Sequence, residues 1–178
     1  DVDGDGIPFR TYPGAHPTKG SYFTRGTTKN AYAMYSEAGP DYMYNVQRLL
    51  RKFETAKNLV PQPVLHKAKQ KSKFGAIYFG STSPAMYEAV EALEAQGVHL
   101  DTLRVRAFPF SDAVADFIAE HEHAFVIEQN RDAQLRMLII NELNVDPARL
   151  MPVLHYDGTP ITARFIIGEV GERVHLMN

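Results

Sequence analysis

Short apolar runs alternate with amphipathic stretches through the second half of the chain. Residues 75–79 form an apolar run suited to a buried strand, and Gly80-Ser81-Thr82-Ser83 turns out of it. Pro84 then stands near a first helical position, where a missing N–H costs least. The stretch that follows sets Met86, Val90 and Leu93 on one face and stops at Gly97. Residues 100–107 read as the next strand, Ser111 or Asp112 caps a helix carrying Val114, Phe117 and Ile118, and residues 124–127 read as a third strand. From Asp132 the apolar positions Leu135, Leu138, Ile139 and Leu143 recur at three- and four-residue spacing, predicting an amphipathic helix, and residues 151–154 return as a strand. Strand and helix alternating across short connections predict an α/β fold: a parallel sheet with right-handed crossovers and helices on both faces. No internal repeat is visible.

The first part of the chain has a different texture. Residues 1–44 are rich in Gly, Pro, Thr and Tyr, lack sustained periodicity and would make a poor core by themselves. From about residue 40 to residue 59 the pattern turns helical, with Val46, Leu49, Leu50 and Phe53 opposite Arg48, Arg51, Lys52 and Lys57, and Pro61 and Pro63 are expected to end it. Lys67-Ala68-Lys69-Gln70-Lys71-Ser72-Lys73 reads as a polar linker whose lysines repel one another and stay solvated, in preference to a phosphate site. The expected organisation is an incomplete domain tail over residues 1–44, a connecting helix and linker over 45–73, and an α/β domain over 74–178.

Composition narrows the classes. The 178 residues carry a formal net charge of -2, which predicts no whole-domain attraction to nucleic acid or membrane. Zero cysteines exclude disulfides, thiolate metal sites and cysteine-held iron–sulfur clusters within these residues. No apolar stretch approaches the ~20 residues of a membrane span. The opening Asp1-Val2-Asp3-Gly4-Asp5-Gly6 has neither initiator methionine nor signal peptide, so the chain is expected to be a fragment of a longer one, cytoplasmic in location.

Several motifs carry a chemical suggestion. Asp1, Asp3, Asp5 and Gly6 match the first half of a calcium loop, but Tyr12 stands where that loop requires a bidentate Glu and Pro8 interrupts the run. His121 and His123 flank Glu122 with no third clear ligand, which predicts a solvated helix end rather than a metal site. The turn from Gly80 to Pro84 could receive an anion at a helix N-terminus, although hydroxyls that merely cap the helix are the preferred reading. No Gly-x-Gly-x-x-Gly follows the first strand, and no nucleophile elbow, Walker loop or paired catalytic carboxylates occur. A stand-alone α/β module binding a small anion at the strand ends near Gly80 and Glu128 is therefore one functional class to carry forward.

The other class comes from a resemblance. FVIEQNRDAQLRMLIINEL at residues 125–143 and LMPVLHYDGTPIT at residues 150–162 resemble the C-terminal domain of the alpha subunit of 2-oxoacid:ferredoxin oxidoreductases, the 2-oxoglutarate type above all. DGIPFRTYPG at residues 5–14, HPTKG at 16–20 and FTRGT at 23–27 resemble the end of that subunit's pyrimidine-binding domain, and NVQRLLRKFETAK at 45–57 the helix leaving it. The resemblance implies a transketolase C-terminal-like domain preceded by that tail, in an enzyme that oxidatively decarboxylates a 2-oxoacid to an acyl-coenzyme A. It further implies thiamine diphosphate with Mg and an iron–sulfur cluster on a beta subunit, electron transfer to ferredoxin, and a dimer of heterodimers. By the same resemblance this part is mainly architectural and subunit-docking, inactive alone, and holds no cofactor itself. Gly4-Asp5-Gly6 mimics the start of the thiamine diphosphate motif, but the paired asparagines expected later are reduced to the single Asn30.

No residue is expected to be catalytic. Arg10, His16, Lys19 and Arg25 are candidates to approach the 2-oxoacid carboxylates or coenzyme A phosphates, because cations in Gly- and Pro-punctuated loops suit anionic substrates. Lys29, Asn30 and Ala31 stand where relatives carry His-Asp-Glu, so Lys29 and Asn30 join the candidates with substrate preference in question. Glu128, Asn130 and Gln134 match the family's Glu-x-Asn…Gln-Leu pattern, and Ala133 stands where many relatives have Gly. These three are expected to satisfy the following helix N-terminus. Asp157 and Gly158 are expected to form a tight turn with Thr159 and Pro160, and His155 and Tyr156 to serve packing or an interface.

Overall fold

The computed structural model describes residues 1–20 and 25–177, which form two compact units, Asp1–Val60 and Pro61–Asn178. Phe23 and Thr24 of the FTRGT string lie outside the described residues.

The second unit contains a five-stranded sheet. Its strands are β3 (Val64–His66), β4 (Phe74–Phe79), β5 (Asp101–Val105), β6 (His123–Glu128) and β7 (Leu150–Leu154), in the order β3-β5-β4-β6-β7. β4 pairs in parallel with β5 and β6, β6 pairs in parallel with β7, and β3 is an antiparallel edge strand on β5. The expected α/β class with helices on both faces is what the sheet shows; the antiparallel edge is an addition. β3 is only three residues long and sits between Pro63 and the lysines, too short to display an alternation.

The side-chain parity of the strands builds two cores. On one face Phe74, Ala76 and Tyr78 of β4, with Phe125 and Ile127 of β6, pack against α2 (Ser83–Ala95) and α5 (Ala163–Met177). On the other, Ile77, Leu103, Val105 and Val126 pack against α3 (Asp112–Glu120) and α4 (Gln134–Leu143). A central strand buried on both faces must be apolar at every position, and this is why β4 and β6 read as continuous runs rather than alternations. Gly75 is set by the same packing: a Cβ there would lie 2.7 Å from the Phe117 ring and 3.2 Å from His121.

The chain leaves β4 through α2 to reach β5 on one side, then returns through α3 to β6 on the other side of β4. The connections leaving β4 and β6 therefore go to opposite faces, and their carboxyl ends flank a topological switch point, the usual place for ligand or partner contacts in such sheets.

The lysine segment stays solvated as expected, the Lys67 and Lys69 side chains being 57% and 83% exposed, and its charges are paired as well. Lys67 Nζ lies 2.9 Å from Asp101 Oδ2 and 2.5 Å from Glu120 Oε2, and Lys69 Nζ lies 2.7 Å from Glu94 Oε2. Three carboxylates brought to this end of the sheet neutralise the repulsion that sequence alone would assign. The helix caps differ from expectation. Ser111 occupies the N-cap position of α3 without a side-chain capping bond, and its Oγ is buried without a hydrogen-bond partner.

The first unit consists of a two-stranded ribbon, β1 (Thr28–Lys29) and β2 (Tyr35–Ser36), loops, and the helix α1 (Gly39–Ala56). The regular part of α1 ends at Ala56, and turn bonds from the Leu59 and Val60 N–H groups to the Ala56 carbonyl carry the coil on to Pro61, where it stops. Its polar side is tied to the loops: Arg48 Nη1 donates to the Gly6 carbonyl at 2.8 Å, Thr55 Oγ1 to Asp5 O at 2.6 Å, and Asn45 Nδ2 to Thr28 Oγ1 and Lys29 O at 2.7 Å each. Gly6, at φ 85°, allows this approach, since a Cβ there would sit 2.2 Å from the Lys52 backbone nitrogen. Among the described residues, no helix is long and apolar enough to cross a membrane.

Candidate functional site

At the switch point the carboxyl end of β6 turns through Glu128, Gln129 and Asn130 into α4. Glu128 belongs to the parity that faces α4, and its carboxylate is fully buried. Oε2 accepts from the Leu135 N–H at 2.7 Å and from Asn130 Nδ2 at 2.8 Å, while Oε1 accepts from the Arg136 N–H at 3.0 Å. Asn130 Oδ1 accepts from the Asp132 and Gln134 N–H groups at 3.1 and 3.2 Å. The first turn of α4 thus gives its free N–H groups to side chains of the chain itself. A buried negative charge beside a helix N-terminus is stabilised by the aligned N–H dipoles, so the place where an anion would bind already holds the Glu128 carboxylate. Gln134 contributes its backbone N–H at the start of this helix.

Gln129 was not among the expected site residues, yet it joins three loops. Its Nε2 donates to Ser81 Oγ at 3.1 Å and lies 3.3 Å from Thr82 Oγ1, and its Oε1 accepts from the Ile161 N–H at 3.2 Å. Neither Ser81 nor Thr82 caps α2 as expected; Ser83 Oγ donates back to the Gly80 carbonyl at 2.9 Å. Gln129 points to the α2 and α5 side, opposite to Glu128, because successive residues leave a strand on alternate faces.

Ala133 adopts φ 52° and ψ 46°, a left-handed conformation that disfavours any Cβ. A glycine at this position would take the same conformation without that cost. Ala133→Gly is expected to raise stability by about 0.5–1 kcal/mol, since relief of left-handed strain outweighs the added freedom of the unfolded chain. A urea denaturation midpoint lower than that of the parent would contradict this account of the turn.

The last loop holds its polar groups in the same self-contained way. Asp157 Oδ1 accepts from Thr159 N and Oγ1 at 2.8 and 2.7 Å, bonds that hold its carboxyl below the usual carboxylate range, and Gly158 takes φ 88°. His155 is buried edge-on against Phe165 at 4.8 Å, whereas Tyr156 lies exposed.

A second polar cluster lies at the opposite, amino ends of the strands. His121 is buried, with Nδ1 2.6 Å from the Phe117 carbonyl and Nε2 3.2 Å from Asp101 Oδ2. This overturns the solvated helix end expected, as far as His121 is concerned; Glu122 is exposed and His123 half-buried. Asp101 shares the inward parity of Leu103 and Val105, and a carboxylate on a buried strand face must find partners. Burial pushes its carboxyl up, but the Ala68 N–H, Lys67 and His121 together outweigh that and hold it below the ordinary value. The cluster fastens the segment before β4 to the sheet.

In the first unit, Arg10 sits over the Tyr12 ring at 6.0 Å. His16 and Lys19 come together in one turn, where His16 Nδ1 accepts from the Thr18 and Lys19 N–H groups at 3.1 and 3.0 Å. Arg25 is exposed, and Lys29 ends the first strand of the ribbon. Asn30 Oδ1 accepts from the Tyr32 and Met34 N–H groups at 3.0 and 3.1 Å, which assigns it to the ribbon turn. The carboxylates of the calcium-like and thiamine-like string are engaged locally: Asp1 with the Gly6 N–H and Arg51, and Asp5 with the Ile7 N–H. These bonds assign Asp1, Asp5 and Asn30 to the loops of their own unit. Among the described residues, no group of three or more His, Asp or Glu side chains is placed to hold a metal.

Comparison with known proteins places these features in context. No protein-family profile matches the chain. A curated relative, subunit alpha of 2-oxoacid:ferredoxin oxidoreductase 2 from Aeropyrum pernix, is 29% identical over 125 residues, covering 67% of this chain and 19% of that protein. Among solved structures, the 2-oxoglutarate:ferredoxin oxidoreductase from Magnetococcus marinus, with 2-oxoglutarate, coenzyme A and succinyl-CoA bound, matches 96% of this chain and 29% of its own at a TM-score of 0.80 and 20% identity. An inactive beta4 tetramer of a split-gene transketolase matches 66% of this chain and 42% of its own at a TM-score of 0.52 and 17% identity. The chain is thus similar to 2-oxoacid:ferredoxin oxidoreductase alpha subunits, its fold is transketolase-like, and it spans 19% of the curated relative.

Proposed function

We propose that this chain is the C-terminal part of the alpha subunit of a cytoplasmic 2-oxoacid:ferredoxin oxidoreductase of the 2-oxoglutarate type. The observation that carries this reading is the similarity to the Aeropyrum pernix subunit over 67% of the chain, together with a fold match over 96% of it. The whole enzyme would convert a 2-oxoacid and coenzyme A to an acyl-coenzyme A, passing electrons to ferredoxin through a beta subunit. That subunit would carry thiamine diphosphate, Mg and the iron–sulfur cluster. Thiamine diphosphate, when bound there, supplies the carbanion chemistry of decarboxylation. The absence of cysteine and the local engagement of Asp1, Asp5 and Asn30 agree with a cofactor site elsewhere.

The role of these residues in that assembly is architectural. Glu128, Asn130 and Gln129 spend their polar groups on their own loops, so the switch point is a rigid structural joint. A stand-alone anion-binding module finds little support, because the N-terminus of α4 is satisfied by Glu128 and the Ser81 and Thr82 hydroxyls are bonded to Gln129. Arg10, His16, Lys19 and Arg25 remain the groups suited to meet substrate carboxylates or coenzyme A phosphates, with Lys29 beside them.

Two measurements test the reading. The 178-residue chain alone is expected to show no 2-oxoglutarate- and coenzyme A-dependent ferredoxin reduction, while the assembled enzyme shows it. Within that enzyme, Asn130→Ala is expected to lower the yield of complex yet leave turnover per assembled complex nearly unchanged. A large fall in turnover with assembly intact would place Asn130 in the chemistry instead.

A further inference from the structure

The helix α1 has its amphipathic character turned outward. Asn45, Arg48, Arg51 and Thr55 face the loops of their own unit and make its internal bonds. Tyr42, Val46, Leu49 and Leu50 recur at helical spacing on the other side, with Met43 at their margin, and all five are exposed, Met43 at 69% and Leu50 at 60%. No residue of α1 is buried, and among the described residues the buried apolar core belongs wholly to the second unit. An 18-residue helix whose polar face is used inward and whose apolar face is open needs a cover that the first unit does not supply.

We propose that this apolar stripe is the seat of another domain of the same polypeptide, docked in cis, in an alpha subunit of the kind described above; the proposal rests on that reading. Two observations select the occupant. The fold matches 96% of this chain but only 29% of the Magnetococcus marinus chain, so a chain of that type carries more than twice this much further polypeptide. The area of the stripe favours a tethered occupant over a second copy. With Phe53, 51% exposed at the same helical phase, its side chains expose on the order of 600 Å², short of the about 800 Å² per partner that a stable association in trans buries. A covalently linked domain needs less, because tethering raises the effective concentration to about the millimolar range and removes most of the cost of bringing two bodies together. The partner surface is accordingly apolar, with aliphatic or aromatic side chains that fill the grooves beside Val46 and Leu50.

Leu50→Cys tests this, because residues 1–178 contain no cysteine and the new thiol is read by mass spectrometry of its own peptide. In the isolated 178-residue chain, maleimide is expected to alkylate it as fast as an exposed control, Glu91→Cys. In the assembled enzyme with the full alpha chain, alkylation at position 50 is expected to slow by at least about tenfold while the control is unchanged. A photo-crosslinking residue at position 49 is expected to join to a peptide of the same polypeptide. Unchanged reactivity in the assembled enzyme, or crosslinks to the beta subunit or to a second alpha chain, would overturn the proposal. An enzyme that assembles and reduces ferredoxin while position 50 stays reactive refutes only the docking; failure to assemble with any thiamine-dependent partner refutes the reading beneath it as well.

Discussion

Glu128→Ala is expected to cost about 3 kcal/mol or more, because it strips acceptors from buried N–H groups as well as a side chain from the core. The carboxylate answers three donors, Leu135 N, Arg136 N and Asn130 Nδ2, and two of these are amides of the first turn of α4. Alanine leaves the buried Leu135 amide without its acceptor and the half-buried Arg136 and Asn130 donors with only solvent to turn to. Asn130 would also lose its anchor, and with it the bonds to Asp132 and Gln134 that shape the turn. Glu128→Gln keeps one acceptor oxygen but turns an amide N–H₂ toward a donor, so its loss should fall between those of parent and alanine. Equilibrium urea denaturation followed by far-ultraviolet circular dichroism of the three proteins checks the order. A Glu128→Ala chain as stable as the parent would mean that the α4 amides find other partners and that this joint is not what holds the strand end.

The second large effect is expected at the other end of the sheet. Asp101→Ala removes acceptors from His121 Nε2, from the Ala68 N–H at 2.9 Å and from Lys67, and is expected to cost about 2–4 kcal/mol. The effect has a pH signature whose sign follows from the depressed Asp101 carboxyl. A group that ionises more readily when folded contributes stability fully present above its unfolded value, near about 4. That contribution is lost as pH falls through the folded value. The stability gap between parent and Asp101→Ala should therefore be constant from neutral pH down to that region and narrow below it. A gap that persists undiminished in acid would show that packing, rather than the charged cluster, accounts for the loss.

Much of the α/β unit is legible in the sequence because its signals are local. Residues 74–78 and 124–127 are stretches of central strands buried on both faces and are continuously apolar, and turn residues bound the strands. α4 is legible from the spacing of Leu135, Ile139 and Leu143. α5 is not, since Gly168 and Gly171 lie inside it and lower its intrinsic propensity. Packing imposes that helix: Ile166, Val170 and Val174 close one core, and Gly171 lies where a Cβ would meet Leu93 at 3.6 Å. The same divide runs through the polar sites. Glu128 and Asn130 act on residues within eight positions of themselves, and such capping can be anticipated from spacing. The Asp101–His121 pair spans 20 residues and the Gln129–Ser81 bond 48, so only the folded sheet brings them together. A hint of the first exists in the phase of Asp101 with Leu103 and Val105, where a charge on an inward position calls for a partner. The hint does not say which.

The most direct test of the central claim is affinity purification of the full tagged alpha chain from its native cells without oxygen, followed by assay of thiamine diphosphate and iron in what co-elutes. The account predicts a stoichiometric partner carrying both, with ferredoxin reduction that depends on 2-oxoglutarate and coenzyme A. Elution of the alpha chain alone, without thiamine diphosphate or such activity under gentle salt, would contradict it.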